Sequence, residues 1–169
     1  MTEWVSERLS EVHDLSQFDS GQESLDLWLR DHAAHADRMN TARTFVFHEG
    51  DHQVIGYYSL TMGRVQEEEL PSTVARGGPR IVPVVLLARL AVVERAQGQG
   101  MGAELLFDAL ARTSAANSLA AARAIVVDAI DERAALFYVH FGFIRVASVV
   151  QFPIRLAIKM TSVERNLGV

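Results

Sequence analysis

The sequence predicts an α/β fold in a single domain, residues 1–169, with a mixed, mostly antiparallel central sheet and flanking helices. Three observations predict it. Short segments with strand character crowd the N-terminal part of the chain. An apolar run from Val84 to Val93 feeds a glycine-rich stretch and then a segment of helical periodicity, Ala103, Leu105, Leu106, Ala109 and Leu110. A second apolar run, Ala124 to Ala129, is again followed by helical spacing. A chain of 169 residues with 49% apolar and 22% charged content can bury one full core.

Trp4 to Leu9 alternates as a first strand. Leu25, Leu27, Trp28, Leu29, His32, Ala33 and Ala36 mark an amphipathic helix that starts near Ser20 or Gly21. Thr44 to Phe47 and Val54 to Leu60 read as strands around a hairpin turn at Glu49-Gly50-Asp51. Gly56 marks a bulge or a close backbone approach. Gln66 to Arg80, with two prolines and Gly77-Gly78, is the longest loop, of the kind that is functional or mobile. A helix to about Ala116, the Ala124 strand, a helix capped by Asp131 and two C-terminal strands, around Val146 and from Phe152 to Ile158, complete the order.

With no cysteine, the chain has no disulfide framework, thiolate zinc site or cysteine nucleophile. A basic-apolar leader and an 18-residue apolar run are both missing, so the cytoplasm is the expected compartment. Six histidines, His13, His32, His35, His48, His52 and His140, show no HExxH spacing. Most fall on helix or hairpin positions expected to be exposed, and no metal is expected.

Arg95-Ala96-Gln97-Gly98-Gln99-Gly100-Met101-Gly102 sits between strand and helix, a ready anion site. Glycines let a ligand approach the backbone, and the first amides of a helix have no internal partners. A P-loop would need Gly-Lys-Ser/Thr, and Lys159 is the only lysine. A dinucleotide fingerprint fits formally at Gly98, Gly100 and Ala103, but the loop comes late and the nearest strand-end acid, Asp128, lies 25 residues past Ala103. The remaining frames are Gln97-x-x-Gly100-x-Gly102 and Arg95-x-x-Gly98-x-Gly100. Downstream, Phe137-Tyr138-x-x-Phe141-Gly142-Phe143 follows the second strand. Taken alone, Tyr138 reads as a packed core aromatic. The glycine loop upstream turns it into a candidate functional residue.

The loop resembles the acetyl-CoA loop of the GNAT superfamily of N-acetyltransferases, Gln/Arg-x-x-Gly-x-Gly/Ala, and the Tyr138 segment is similar to the half of that fold holding the thiol end of the cofactor. Four further stretches resemble the GNAT toxins of type II toxin–antitoxin modules: Ser24-Leu25-Asp26-x-Trp28-Leu29, Arg43-Thr44-Phe45-Val46, Val54 to Leu60, and Val82-Pro83-Val84-x-Leu86 to Val92. The resemblance implies a GNAT fold, acetyl-CoA as cofactor, and acetylation of the α-amino group of aminoacyl-tRNA, which blocks translation. It also implies a ribbon-helix-helix antitoxin partner and a homodimer. It places the cofactor on Leu90, Ala91, Val92, Gln97, Gly98, Gln99, Gly100, Met101 and Gly102, with a strand amide polarising the acetyl carbonyl and Tyr138 supplying the proton to the leaving thiolate.

The chemistry is coherent on its own terms. An α-amine titrates near pH 7.7 to 8.0, roughly, against about 10.4 for lysine, so the acceptor needs no strong general base. No acid or histidine in the motif region stands out as one. Charge fits an RNA substrate less well, with a net charge of -5. The basic residues are nonetheless all arginine but one, and Arg30, Arg38, Arg43, Arg64, Arg76, Arg80 and Arg89 fall in the acceptor half. Arg76 and Arg80 flank Gly77-Gly78, and Arg89 lies in an apolar strand beside the cofactor; these three are the candidate tRNA contacts. Two alternatives stand beside this reading: acetylation of a small amine, antibiotic or protein N-terminus, and a noncatalytic acyl-CoA-binding module.

Overall fold

The computed structural model describes residues 3–146 and 151–168. They form seven strands, β1 (Val5–Arg8), β2 (Arg43–His48), β3 (Gly56–Gln66), β4 (Ile81–Val92), β5 (Ala124–Ala129), β6 (Ile144–Arg145) and β7 (Ile154–Lys159). The helices are α1 (Glu23–Asp31), α2 (Ala33–Arg38), α3 (Ser72–Ala75), α4 (Met101–Asn117), α5 (Glu132–His140) and α6 (Met160–Leu167). The strands pair in the order β1-β2-β3-β4-β5-β7-β6. Residues Met1–Thr61 with Leu87–Leu110 make one compact unit, and Met62–Leu86 with Ala111–Val169 a second.

In the first unit β1, β2 and β3 form an antiparallel meander, with Val46 opposite Tyr57 and Thr44 opposite Ser59. Alternation along the strands sends their side chains to two faces. Tyr57 packs edge-on against Phe18, and its hydroxyl donates to the Leu25 carbonyl of α1 at 2.7 Å. Tyr58 points to the other face, where its hydroxyl donates to Asp108 of α4 at 2.5 Å. Entry into α1 is fixed by Asp26, a buried carboxylate that accepts from the Ser20 amide at 3.1 Å and the Ser20 hydroxyl at 2.6 Å. The sequence reads one helix here, but the chain turns at His32 (φ -125°, ψ -27°) and divides it into α1 and α2. Gly56 is the close approach its position suggests: a Cβ there would come within 3.0 Å of Leu105 Cδ1 and 3.1 Å of Met101 Sδ.

In the second unit β5 pairs antiparallel with β7, β7 with β6, and β4 runs parallel to β5 over Val84–Leu86. Strand β3 continues past Leu60, where the sequence expectation stopped, because Gly63 leaves space for Leu86, whose Cδ1 would lie 3.1 Å from a Cβ. The expected long loop is also more ordered than its composition suggests. Glu67–Glu69 is a 3-10 turn, α3 follows, and the Glu67 amide closes the excursion on the Arg80 carbonyl at 2.9 Å. Leu70, Val74 and Ala75 join Val65, Val82, Val84, Ala124, Val126 and Ala157 in one buried cluster. Helix α6, which the sequence reading lacks, buries only Met160 and Val163 and ends at Gly168 in the left-handed conformation (φ 74°).

Candidate active site

Strand β4 ends at Val92 and the chain passes through a 3-10 turn, Glu94–Ala96, into exposed Gln97–Gly100 and then α4. Gly98 (φ 77°) and Gly100 (φ 86°) hold left-handed backbone, which favours glycine. A Cβ at either would meet nothing within 4 Å, so conformation, not crowding, selects glycine there. The amides of Gly98, Gln99 and Gly100 have no acceptor among the described residues, and those of Met101 and Gly102 lie in the unpaired first turn of α4. The result is a run of free N–H donors at the positive end of a 17-residue helix. The Gln97 side chain braces this loop: its Nε2 donates to the Val92 carbonyl at 2.8 Å and the Ser20 carbonyl at 2.9 Å, fastening the loop to the end of β4.

Leu90 is half-buried, and Ala91 and Val92 are buried. The ladder of β4 with β5 stops at Leu86 opposite Val126, so this edge of β4 has no ladder partner from Leu87 to Val92 among the described residues. A strand edge of this kind offers backbone N–H and C=O groups to an extended ligand.

Tyr138 lies near the end of α5, whose start is capped by Asp131 accepting from the Ala134 amide at 2.8 Å, as its sequence position suggests. The helix ends in a Schellman motif that explains the spacing of the aromatic run. Gly142 (φ 95°) occupies the left-handed position, its amide donates to the Val139 carbonyl at 3.0 Å, and the Phe143 amide to the Tyr138 carbonyl at 3.1 Å. The Phe143 ring then packs on Tyr138 at 5.4 Å, with Phe137 at 5.1 Å. Burial pushes the phenol above its ordinary range, which keeps the hydroxyl protonated. Of the three tyrosines, Tyr57 and Tyr58 donate to protein acceptors; the Tyr138 hydroxyl has no partner among the described residues and is not among the enclosed, unpartnered atoms, Thr44 Oγ1 and Ser59 Oγ.

The structure separates the candidate arginines. Arg30 donates to the Phe18 carbonyl at 2.9 Å, and Arg43 to Asp37 and Asn40, so both are structural. Arg76, at the end of α3, and Arg80 are exposed and have no acidic partner among the described residues. Arg89 is half-buried, with its Cζ 4.0 Å from the centroid of the Trp28 ring, and desolvation holds its pKa below the ordinary arginine value. Trp28, which the sequence marks only as part of an amphipathic helix and of a matching segment, is the ring that Arg89 lies over.

Two histidines lie elsewhere than expected. His13 and His48 are buried, with their rings 5.5 Å apart, and His52 stands 5.1 Å from His48. Glu7, His48 and His52 bring potential ligand atoms within 4.8 Å of one another. Hydrogen bonds already account for the arrangement. The Ser10 amide donates to His13 Nδ1 at 2.9 Å and the Gly50 amide to His48 Nδ1 at 3.0 Å, which puts each ring proton on Nε2. Both Nε2–H groups donate to Glu7 Oε1, at 2.8 and 2.7 Å, tying β1 to β2. The bonds from His48 and then His13 hold the Glu7 carboxyl below the ordinary carboxylate range. A depressed folded-state pKa gives stability that is present above the unfolded value, about 4.3, and lost as pH falls through the folded one. Glu7→Gln should therefore flatten the loss of denaturation midpoint between about pH 5 and pH 3. An unchanged acid limb would remove Glu7 from that role.

Comparison with known proteins gives one consistent result. Residues 19–163 match the family model described as an acetyltransferase (GNAT) domain. A protein of Mycobacterium tuberculosis called tRNA-acetylating toxin is 42% identical over 136 residues, covering 80% of this chain and 81% of its own. Among solved structures, AtaT complexed with acetyl-methionyl-tRNAfMet superposes with a TM-score of 0.87 at 29% identity, covering 98% of this chain and 99% of that one. A mutant AtaT toxin bound to acetyl-CoA and the C-terminus of the antitoxin AtaR gives 0.82 at 28% identity, covering 98% and 99%.

Proposed function

Because the chain belongs to the GNAT family of acetyltransferases, we propose that it is a toxin transferring the acetyl group of acetyl-CoA to the α-amine of aminoacyl-tRNA. Acetyl-CoA supplies an acetyl group activated as a thioester. The amides from Gly98 to Gly102, free among the described residues, would hold its pyrophosphate, and the β4 edge at Leu90–Val92, without a ladder partner among those residues, would hold its pantetheine and the acetyl carbonyl. Tyr138 keeps a proton for the departing sulfur. The observation that carries this reading is that hydroxyl, which among the described residues has no protein acceptor, whereas those of Tyr57 and Tyr58 do. The acceptor amine is partly neutral near physiological pH and needs no strong base to attack, and the proton its nitrogen loses as the amide forms passes to solvent.

The acceptor assignment follows the likeness to a tRNA-acetylating toxin and to AtaT seen with acetylated methionyl-tRNA. Arg76, Arg80 and Arg89, the candidate contacts, lack carboxylate partners among the described residues. An antitoxin partner follows from the AtaT–AtaR likeness, and a ribbon-helix-helix antitoxin, a homodimer and a cytoplasmic setting, where translation runs, belong to the same proposal. So does a single domain over residues 1–169, supported by β3, β4 and α4, each of which contributes residues to both compact units. The net charge of -5 favours a second reading, a small amine as acceptor.

Salt separates the two. Each phosphate contact contributes a slope of about -0.7 to -0.9 in log affinity against log salt. Rates on charged tRNA should fall steeply from low to moderate salt, and Arg76→Ala with Arg80→Ala should lower the low-salt rate and flatten the slope. A flat response in wild type and variant alike would remove tRNA as acceptor and leave acetyl transfer to a small amine.

A further inference from the structure

In the first unit Tyr57, Trp28 and Arg89 follow one another in series. The Tyr57 and Trp28 rings lie 12° from parallel with centroids 6.3 Å apart, and the Arg89 guanidinium lies over Trp28 at 4.0 Å. Each layer is anchored: Tyr57 by its bond to the Leu25 carbonyl, Trp28 by α1, whose Leu29 and Asp26 are buried, and Arg89 by β4. Arg89 is half-buried, yet its five N–H donors have no acceptor among the described residues, whereas Arg8, Arg145 and Arg155 are paired with carboxylates. A cation drawn partly out of water and left without an acceptor is costly unless a ligand supplies one. Its neighbours in sequence are Leu90–Val92, the strand edge assigned to the acetyl end.

Resting on aminoacyl-tRNA as acceptor, we propose that Tyr57, Trp28 and Arg89 are a stacking platform for the unpaired nucleobase at the RNA 3′ end. The base lies on the guanidinium face turned away from Trp28, and the N–H edge donates to the adjacent ribose-phosphate. A bare phosphate would be served by a mobile surface arginine. A guanidinium held over an indole, with its Cζ 4.0 Å from the ring centroid, suits a flat partner, and bases stack on aromatic and arginine planes alike.

Trp4 and Trp28 are the only indoles, so Trp4→Phe makes fluorescence report on Trp28. Titration of this protein with a cytidine-cytidine-adenosine trinucleotide should change Trp28 emission saturably. Arg89→Lys, which keeps the charge and loses the plane, should weaken that binding about 5- to 150-fold. Emission that does not respond, or equally tight binding by Arg89→Lys, overturns the platform. A second readout is the rate on an aminoacyl-trinucleotide relative to the methyl ester of the same amino acid. Wild type should prefer the trinucleotide, and the ratio should collapse toward one in Arg89→Lys and Trp28→Leu; a retained ratio again overturns it. Trinucleotide binding at Arg89 without acetylation of charged tRNA would sink the acceptor assignment and keep the platform. Acetylated tRNA with a ratio indifferent to Arg89→Lys would do the reverse.

Discussion

Tyr138→Phe should leave the fold and acetyl-CoA affinity intact and lower turnover about 100- to 10,000-fold, the usual contribution of a general acid. The substitution removes one oxygen that makes no hydrogen bond among the described residues, while the ring contacts with Phe137 and Phe143 and the Schellman turn at Gly142 do not depend on it. A structural hydroxyl would behave differently, because losing a hydrogen bond would lower stability, and Tyr138 has none to lose among the described residues. Single-turnover rates with thermal denaturation as control make the check. A change below about threefold in the chemical step, against that general-acid expectation, would return Tyr138 to the core.

Replacing Gly100 and Gly102 together by valine should weaken acetyl-CoA binding by about 100-fold or more, because two charge-assisted bonds at about 1.5 kcal/mol each are at stake. Gly100 sits at φ 86°, where a β-branched residue is strained, and Gly102 lies in the first turn of α4, whose amides are the proposed phosphate donors. Calorimetry with acetyl-CoA reads the loss, and circular dichroism shows whether the variant is folded. Unchanged affinity in a folded protein would displace the cofactor from this loop.

The features legible in the sequence are those written over short spans. The glycine loop, the Asp131 cap and the Tyr138–Phe143 run each depend on residues within one or two turns, so their spacing exposes them. What stayed hidden depends on distant partners or on side-chain satisfaction. Glu7, His13 and His48 come from three segments and look like surface residues until β1 and β2 pair. Trp28 and Arg89 meet only once α1 lies on the sheet, and no periodicity announces a cation over an indole. The excursion from Gln66 to Arg80 reads as loop because its prolines and glycines outweigh Leu70, Val74 and Ala75, yet those three are buried in a common cluster and order it. That Gln97 braces the loop, while neighbouring glycine amides have no acceptor among the described residues, follows from carbonyl positions that composition cannot show.

The direct measurement is to incubate the protein with acetyl-CoA and total aminoacyl-tRNA, release the aminoacyl ends, and weigh them. Acetyl groups on the α-nitrogen of one or more amino acids, absent when Tyr138→Phe replaces the wild type for the same time, are the predicted result. Acetyl-CoA consumed with every aminoacyl end unmodified would contradict it.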